Sequence, residues 1–326
     1  MRTTVLGGGA WGTALASHAA RAGLPVRIWI REPEVAVAVN EARENPLYLP
    51  GVELPEGLRA TSRLADALAD AETVLVVVPS EFCRAVYRDA GGLAPRSALF
   101  VSATKGLEID TLQRMSEVAA AEAPGHPLAV LSGPSFALEV AKGLPTAVVV
   151  ASADHAVAER VQRSLATRAF RVYSSQDVVG VELAGALKNV IAIAAGIVDG
   201  LGYGHNTVAA LITRGLAEIG RLAVALGAKP DTLAGLAGLG DLVLTCTGAL
   251  SRNRTVGQRL GRGVPLAEAA AGIHPEGVRT TLAACSLAEK NGIEMPIARQ
   301  MKAVLYDGKS PREALDELML RSLKRE

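Results

Sequence analysis

The sequence predicts an α/β chain. An N-terminal doubly wound sheet covers residues 1–180, and an all-α C-terminal domain covers 181–326. Three observations carry this reading. Short β-rich apolar runs alternate with helical stretches through the first half. A glycine-rich turn joins the first run to the first helix. After about Asp177 the chain is rich in Ala, Leu, Gly and charge at helical spacing, with no further convincing strand. Strands that alternate with helices build right-handed βαβ units and hence a mostly parallel sheet.

In order, "TTVLGGG" reads as a strand entering a turn, and "AWGTALASHAARAG" as a helix stopped by Gly23. "PVRIWI" is the next strand. "ETVLVVVPS" is a continuous apolar run, the pattern of a strand buried on both faces. "ALFVSATKG", "LAVLSGPS", "PTAVVVAS" and "FRVYSS" complete the series.

Composition narrows the function. A chain of 326 residues, 49% hydrophobic and 21% charged, suits two globular domains. Lys+Arg of 34 against Asp+Glu of 33 leaves a net charge of +1, which gives no reason to expect nucleic acid or an anionic membrane as partner. Cys83, Cys246 and Cys285 are odd in number and far apart, which argues against a disulfide framework or zinc site and for a reducing cytoplasm. No signal peptide is expected, because the N-terminus enters a strand at once. The 16 residues from Leu183 to Val198 are mostly apolar with one charge, Lys188, and fall short of the roughly 20 needed to span a bilayer, so no membrane span is expected.

Gly7, Gly9 and Gly12 form G-x-G-x-x-G at the end of a strand and the start of a helix, the context that gives this spacing meaning. The first glycine permits the tight turn, the second lets backbone approach a pyrophosphate, and the third lets helix pack on strand. The free amides at the helix start then face phosphate. The first domain is thus of Rossmann type. The second strand ends in Arg31 and Glu32. An arginine there can pair with a 2′-phosphate, which favours NADP(H) or tolerance of both NADP(H) and NAD(H); the alternative is a solvated surface arginine.

Ligands of open α/β sheets lie beyond the carboxyl ends of the strands. Two loops leave the sheet there, one carrying Lys105 and the other Gly133 and Ser135. Lys105 can meet an anionic substrate as a point charge or be an exposed loop lysine. Lys188 sits mid-helix with Ala184, Gly185 and Ala192 at helical spacing. It either snorkels to water or, with its proton affinity lowered by burial, serves as a general acid/base. Asp241 follows a glycine-rich turn, and Ser251, Arg252 and Asn253 stand at a helix start as a phosphate clamp, an N-cap, or both.

Taken with "GGGAWGTALA", "NPLYLPG", "SATKGLE", "SGPSFALEVAKGLPTAVVVAS", "ELAGALKNVIAIAAGIVDGLGYGHNT", "AGLGDLVLTCTGALSRNRTVG" and "PEGVRT", the sequence resembles the soluble, bacterial-type NAD(P)-dependent glycerol-3-phosphate dehydrogenase family over nearly its whole length. The resemblance implies reversible reduction of dihydroxyacetone phosphate to sn-glycerol 3-phosphate, with Lys188 as proton donor and acceptor. It implies a substrate pocket of Lys105, Gly133, Ser135, Asp241, Ser251, Arg252 and Asn253, with Asn189 and Asp241 orienting Lys188. It implies cofactor contacts from Trp11, Arg31, Lys105, Ala137, Arg252 and Glu276, and from Ala10, Tyr48 and His274. Two positions depart from the family pattern. Ala10 stands where serine is usual, leaving only backbone for phosphate, and His274 stands where an aliphatic residue is usual. The resemblance also implies a homodimer. Five histidines with no HExxH-like ligand set give no reason to expect a metal. Rival readings are a β-hydroxyacid or ketopantoate dehydrogenase of similar build, which lacks a reason for the clamp at 251–253, and a non-catalytic dinucleotide sensor, which has no need of Lys188.

Overall fold

The computed structural model describes residues 1–322. They form two compact units. The first comprises Met1–Lys105 and Gln113–Glu182, and the second Gly106–Leu112 and the chain from Leu183 onward.

The first unit is built on one eight-stranded sheet. Its strands are β1 (Thr3–Leu6), β2 (Val26–Trp29), β3 (Leu58–Thr61), β4 (Thr73–Val76), β5 (Leu99–Ser102), β6 (Leu128–Ser132), β7 (Thr146–Ala151) and β8 (Phe170–Ser175). The spatial order is β3-β2-β1-β4-β5-β6-β7-β8. Neighbours run parallel except β6 and β7, which are antiparallel. Alternate residues face opposite sides of a strand, and both sides of this sheet are covered. Val5, Leu75, Leu99 and Val101 join the core on one side, while Leu6, Val74, Val76 and Phe100 join that on the other. That is why the central strands read as unbroken apolar runs.

One strand escapes the sequence reading. β3 has no counterpart there, because "LRAT" is a four-residue edge strand buried fully only at Leu58 and carries almost no apolar signal. The single antiparallel pair, β6 with β7, leaves the sheet mostly parallel, as expected.

Helices fill the second unit among the described residues, led by Val178–Gly200, which begins in the first unit. At 23 residues it is longer than its apolar run suggested, and it is the one described helix long and apolar enough to cross a membrane. Its length therefore does not argue against a span, but 94% of its most apolar window is buried inside the protein. Its glycines let a second helix, Arg252–Gly261, lie against it backbone to backbone. A Cβ on Gly196 would strike the Arg254 carbonyl oxygen, and a Cβ on Gly257 would strike that of Ile193.

A third helix, His205–Ala225, carries the buried carboxylate Glu218, which accepts from the Ile297 amide at 2.7 Å and the Ala298 amide at 3.3 Å and so caps the helix Pro296–Tyr306. Burial raises the Glu218 carboxyl to about 7, against the two amides and the charges of Arg221 and Arg321, which pull it down. An acid raised on folding contributes its full stability below its unfolded pKa and loses it as pH rises through the folded one. We expect the stability of wild type relative to Glu218→Gln to fall by about 3 kcal/mol between pH 4.5 and 7, measured as unfolding free energies across that range.

Candidate active site

In the first unit the glycine turn leaves β1 where the strand order reverses, between β1 and β4, the place where open α/β sheets bind ligands. Gly7 adopts φ of +122°, a conformation side chains rarely tolerate, and a Cβ there would lie 2.8 Å from the Val77 carbonyl oxygen. A Cβ on Gly12 would strike the Gly7 carbonyl, so the helix Ala10–Arg21 can start this close to the strand only with glycine. Gly9 faces open space and is the N-cap of that helix, with no side chain capping it. The amides of Ala10 and Trp11 then stand at an uncapped helix start that a pyrophosphate fits. Ala10 lacks a hydroxyl, so only its backbone can serve. Trp11 adds a buried indole Nε1 with no hydrogen-bond partner.

A residue the sequence reading missed holds this turn. The Asn45 side-chain nitrogen donates to the Gly8 carbonyl and to Thr13 Oγ1, both at 2.8 Å, and its oxygen accepts from the Tyr48 amide at 3.0 Å. Asn45 is wholly buried. Its sequence signals are the turn-forming "ENP" and its place at the head of "NPLYLPG".

Lys105, Gly133 and Ser135 come together as the sequence placed them, past the ends of β5 and β6. Lys105 Nζ donates to the Gly133 carbonyl at 2.8 Å and lies 3.4 Å from Ser135 Oγ, which itself donates to Gly133 at 2.9 Å. The same ammonium is 6.0 Å from the centre of the Trp11 ring, at the limit of a cation–π contact. Ala137 opens the short helix that follows, half-buried. Arg31 and Tyr48 both bond Glu32 at the tip of β2.

In the second unit Lys188 is only 5% exposed and Asp241 1%. Lys188 Nζ donates to Asp241 Oδ1 at 2.6 Å and to Thr245 Oγ1 at 2.7 Å, while Thr245 donates to the Asp241 carbonyl at 2.6 Å. The lysine therefore neither snorkels nor stands alone. Burial by itself favours a neutral amine, but a carboxylate in contact favours the ammonium, the form that can deliver a proton. Thr245 was missed, although Asp241 and Thr245 are four apart on the helix Asp241–Thr247 and share a face. The "glycine-rich turn" before Asp241 is a wide helical turn, Leu236–Gly240, that runs directly into this helix. Such turns recur at functional sites. Cys246 beside the pair is no rival nucleophile, since burial pushes its thiol up to about 12.

The side chain of Asn189 accepts from Asn253 Nδ2 at 2.9 Å, and Asn253 Oδ1 accepts from the Gly277 amide at 3.0 Å. One asparagine thus ties the residue after Lys188 to the start of the helix Glu276–Lys290, where Glu276 is half-buried and His274 just ahead is exposed. Ser251 is an N-cap, its Oγ accepting from the Arg254 amide at 3.2 Å, and Arg252 beside it is exposed. Among the described residues no cluster of three or more His, Cys, Asp or Glu is placed to hold a metal.

A dinucleotide turn and a buried, carboxylate-paired lysine are parts that a nicotinamide-dependent oxidoreductase needs. Comparison with known proteins narrows the class. Family models of the N-terminus and the C-terminus of NAD-dependent glycerol-3-phosphate dehydrogenase match residues 2–158 and 177–316. A glycerol-3-phosphate dehydrogenase [NAD(P)+] of Geobacter sp. (strain M21) is 54% identical, over 100% of this chain and 98% of its own. The crystal structure of glycerol-3-phosphate dehydrogenase from Coxiella burnetii is 44% identical with a TM-score of 0.95, over 98% of this chain and 99% of that one. The chain belongs to the NAD-dependent glycerol-3-phosphate dehydrogenase family. A ketopantoate reductase from Ralstonia eutropha JMP134, 18% identical over 98% of this chain and 100% of its own with a TM-score of 0.64, shares the fold alone.

Removing one partner of a buried ion pair leaves the other charge uncompensated. Asp241→Asn is expected to lower stability by about 3–5 kcal/mol, and by much less in a Lys188→Met background. A double-mutant cycle on thermal unfolding measures the coupling.

Proposed function

We propose that the chain catalyses reversible reduction of dihydroxyacetone phosphate to sn-glycerol 3-phosphate with NAD(P)H, supplying glycerophospholipid synthesis. The observation that carries this is the buried Lys188–Asp241–Thr245 cluster, in a chain of this family. A nicotinamide cofactor held at the glycine turn would supply the hydride for C2 of the substrate. Lys188, held as an ammonium by Asp241 and Thr245, protonates the oxygen that becomes the C2 hydroxyl. In the oxidising direction it takes that proton back. Lys105 offers positive charge to the substrate, with Gly133 and Ser135 fixing its Nζ.

Arg252, a forked donor at a helix start, takes the substrate phosphate. Asn253 and Asn189 keep that helix in register with the lysine helix. Gly7, Gly9, Ala10, Trp11 and Gly12 hold the pyrophosphate, and Arg31, Tyr48, Lys105, Ala137, Arg252, His274 and Glu276 complete the cofactor contacts. The enzyme works in the cytoplasm as a homodimer. Its three cysteines are buried thiols, which supports a reducing compartment.

The test follows NAD(P)H absorbance with dihydroxyacetone phosphate. Wild type turns over, and Lys188→Ala loses about 10²–10⁴-fold in kcat. Absence of turnover in wild type overturns the reaction, and a fully active Lys188→Ala overturns the role of the lysine.

A further inference from the structure

We propose that Glu32, held in place by Tyr48, sets the cofactor preference of this site: its carboxylate takes the adenosine 2′-hydroxyl of NAD(H) and opposes the 2′-phosphate that Arg31 would hold in NADP(H). The proposal rests on reading the Gly7–Gly12 turn as a dinucleotide site.

The placement comes from the sheet. Leu6 of β1 pairs with Trp29 of β2, so the tip of β2 stands beside the glycine turn that leaves β1. In this fold an acidic residue there meets a ribose 2′-hydroxyl, and an arginine accommodates a 2′-phosphate. This chain carries both in succession, and they are not equivalent. The Arg31 side chain is 71% exposed and that of Glu32 only 20%. Glu32 Oε1 accepts from Arg31 Nη2 at 3.0 Å, from Arg31 Nε at 3.3 Å and from the Tyr48 hydroxyl at 3.1 Å.

Glu32 is also the N-cap of the helix Pro33–Glu41, yet its carboxylate does not cap that helix. It is turned instead toward Tyr48. Tyr48 in turn hangs from Asn45, which grips Gly8 and Thr13 of the phosphate turn. The segment 45–48 thus ties the ribose end of the site to its pyrophosphate end.

The charges follow from the contacts. Burial favours the neutral acid, but a backbone hydrogen bond and the donations from Arg31 and Tyr48 together hold the Glu32 carboxyl below its ordinary value, so it is an anion at neutral pH. Burial, then the charge of Glu32, keeps the Tyr48 phenol above its ordinary value, so it stays a donor. A fixed anion is an acceptor for a bare 2′-hydroxyl. Toward a 2′-phosphate it is a like charge that also competes for the guanidinium. Arg31, on its exposed side chain, is the arm that can leave Glu32 for a phosphate. Both cofactors are therefore usable, and Glu32 tilts the balance to NAD(H).

Two readouts test this. The first is the ratio of kcat/KM for NADPH to that for NADH, with dihydroxyacetone phosphate. Glu32→Gln raises the ratio by about tenfold or more, and Arg31→Met lowers it by a similar factor. Tyr48→Phe moves it in the same direction as Glu32→Gln by a few fold, through KM and not kcat, as a positioning residue should. The second is calorimetric binding of ADP-ribose and its 2′-phosphorylated analogue, which needs no turnover. Glu32→Gln weakens the first ligand relative to the second. A ratio that stays within twofold in Glu32→Gln, in both measurements, overturns the proposal. If wild type reduces no dihydroxyacetone phosphate with either cofactor, the substrate reading fails, while the two ligands still decide the role of Glu32.

Discussion

An ammonium and a carboxylate, both nearly inaccessible to water, meet at 2.6 Å between Lys188 and Asp241. Taking either charge out of water alone costs several kcal/mol, and their attraction offsets this only with good geometry and further hydrogen bonds. Thr245 supplies one such bond, accepting from the ammonium while donating to the Asp241 carbonyl. Much of the second unit serves this geometry. The lysine helix is buried along its length, so the pair is screened from solvent. The wide turn Leu236–Gly240 feeds straight into the helix that presents Asp241 and Thr245 on one face.

The same helix is held in register by small residues. Gly196 and Gly257 permit backbone contact between it and Arg252–Gly261, and a Cβ on Gly277 would sit 2.5 Å from the Asn189 carbonyl oxygen. Glycine on the lysine helix and on its neighbours thus lets two other helices close on it. Asn253 completes the lock with bonds to Asn189 and to the Gly277 amide. A change in that packing would shift Lys188 and the helix Arg252–Gly261 together, since they share one interface.

What was legible in the sequence follows from how local each signal is. The strand-glycine-helix turn is local, because backbone conformation at Gly7 and close approach at Gly12 dictate the residue type directly. The buried central strands are equally local, as a sheet covered on both faces demands continuous apolar runs. β3 was not legible, since an edge strand of four residues imposes little pattern. Thr245 and Asn45 were not legible either. Each acts through a partner far off in sequence, Lys188 at 57 residues and Gly8 at 37, and threonine or asparagine alone carries no signature. Ser251 was legible as a cap, but sequence could not decide between capping and clamping; the structure shows the cap bond to Arg254.

Pairing also changes what burial means for Lys188. An unpaired buried lysine would be a neutral base at physiological pH, suited to taking a proton from an alcohol. A paired one rests as an ammonium, suited to giving a proton to an alkoxide. Reduction of a carbonyl needs the second state at the start, and oxidation of an alcohol needs the first. If Lys188 carries the proton in the proposed reaction, its contact with Asp241 suits reduction, and the oxidising direction would first have to take a proton from a lysine whose charged form the carboxylate favours. The asymmetry lies in the protein's own ion pair, independent of which nicotinamide cofactor is bound.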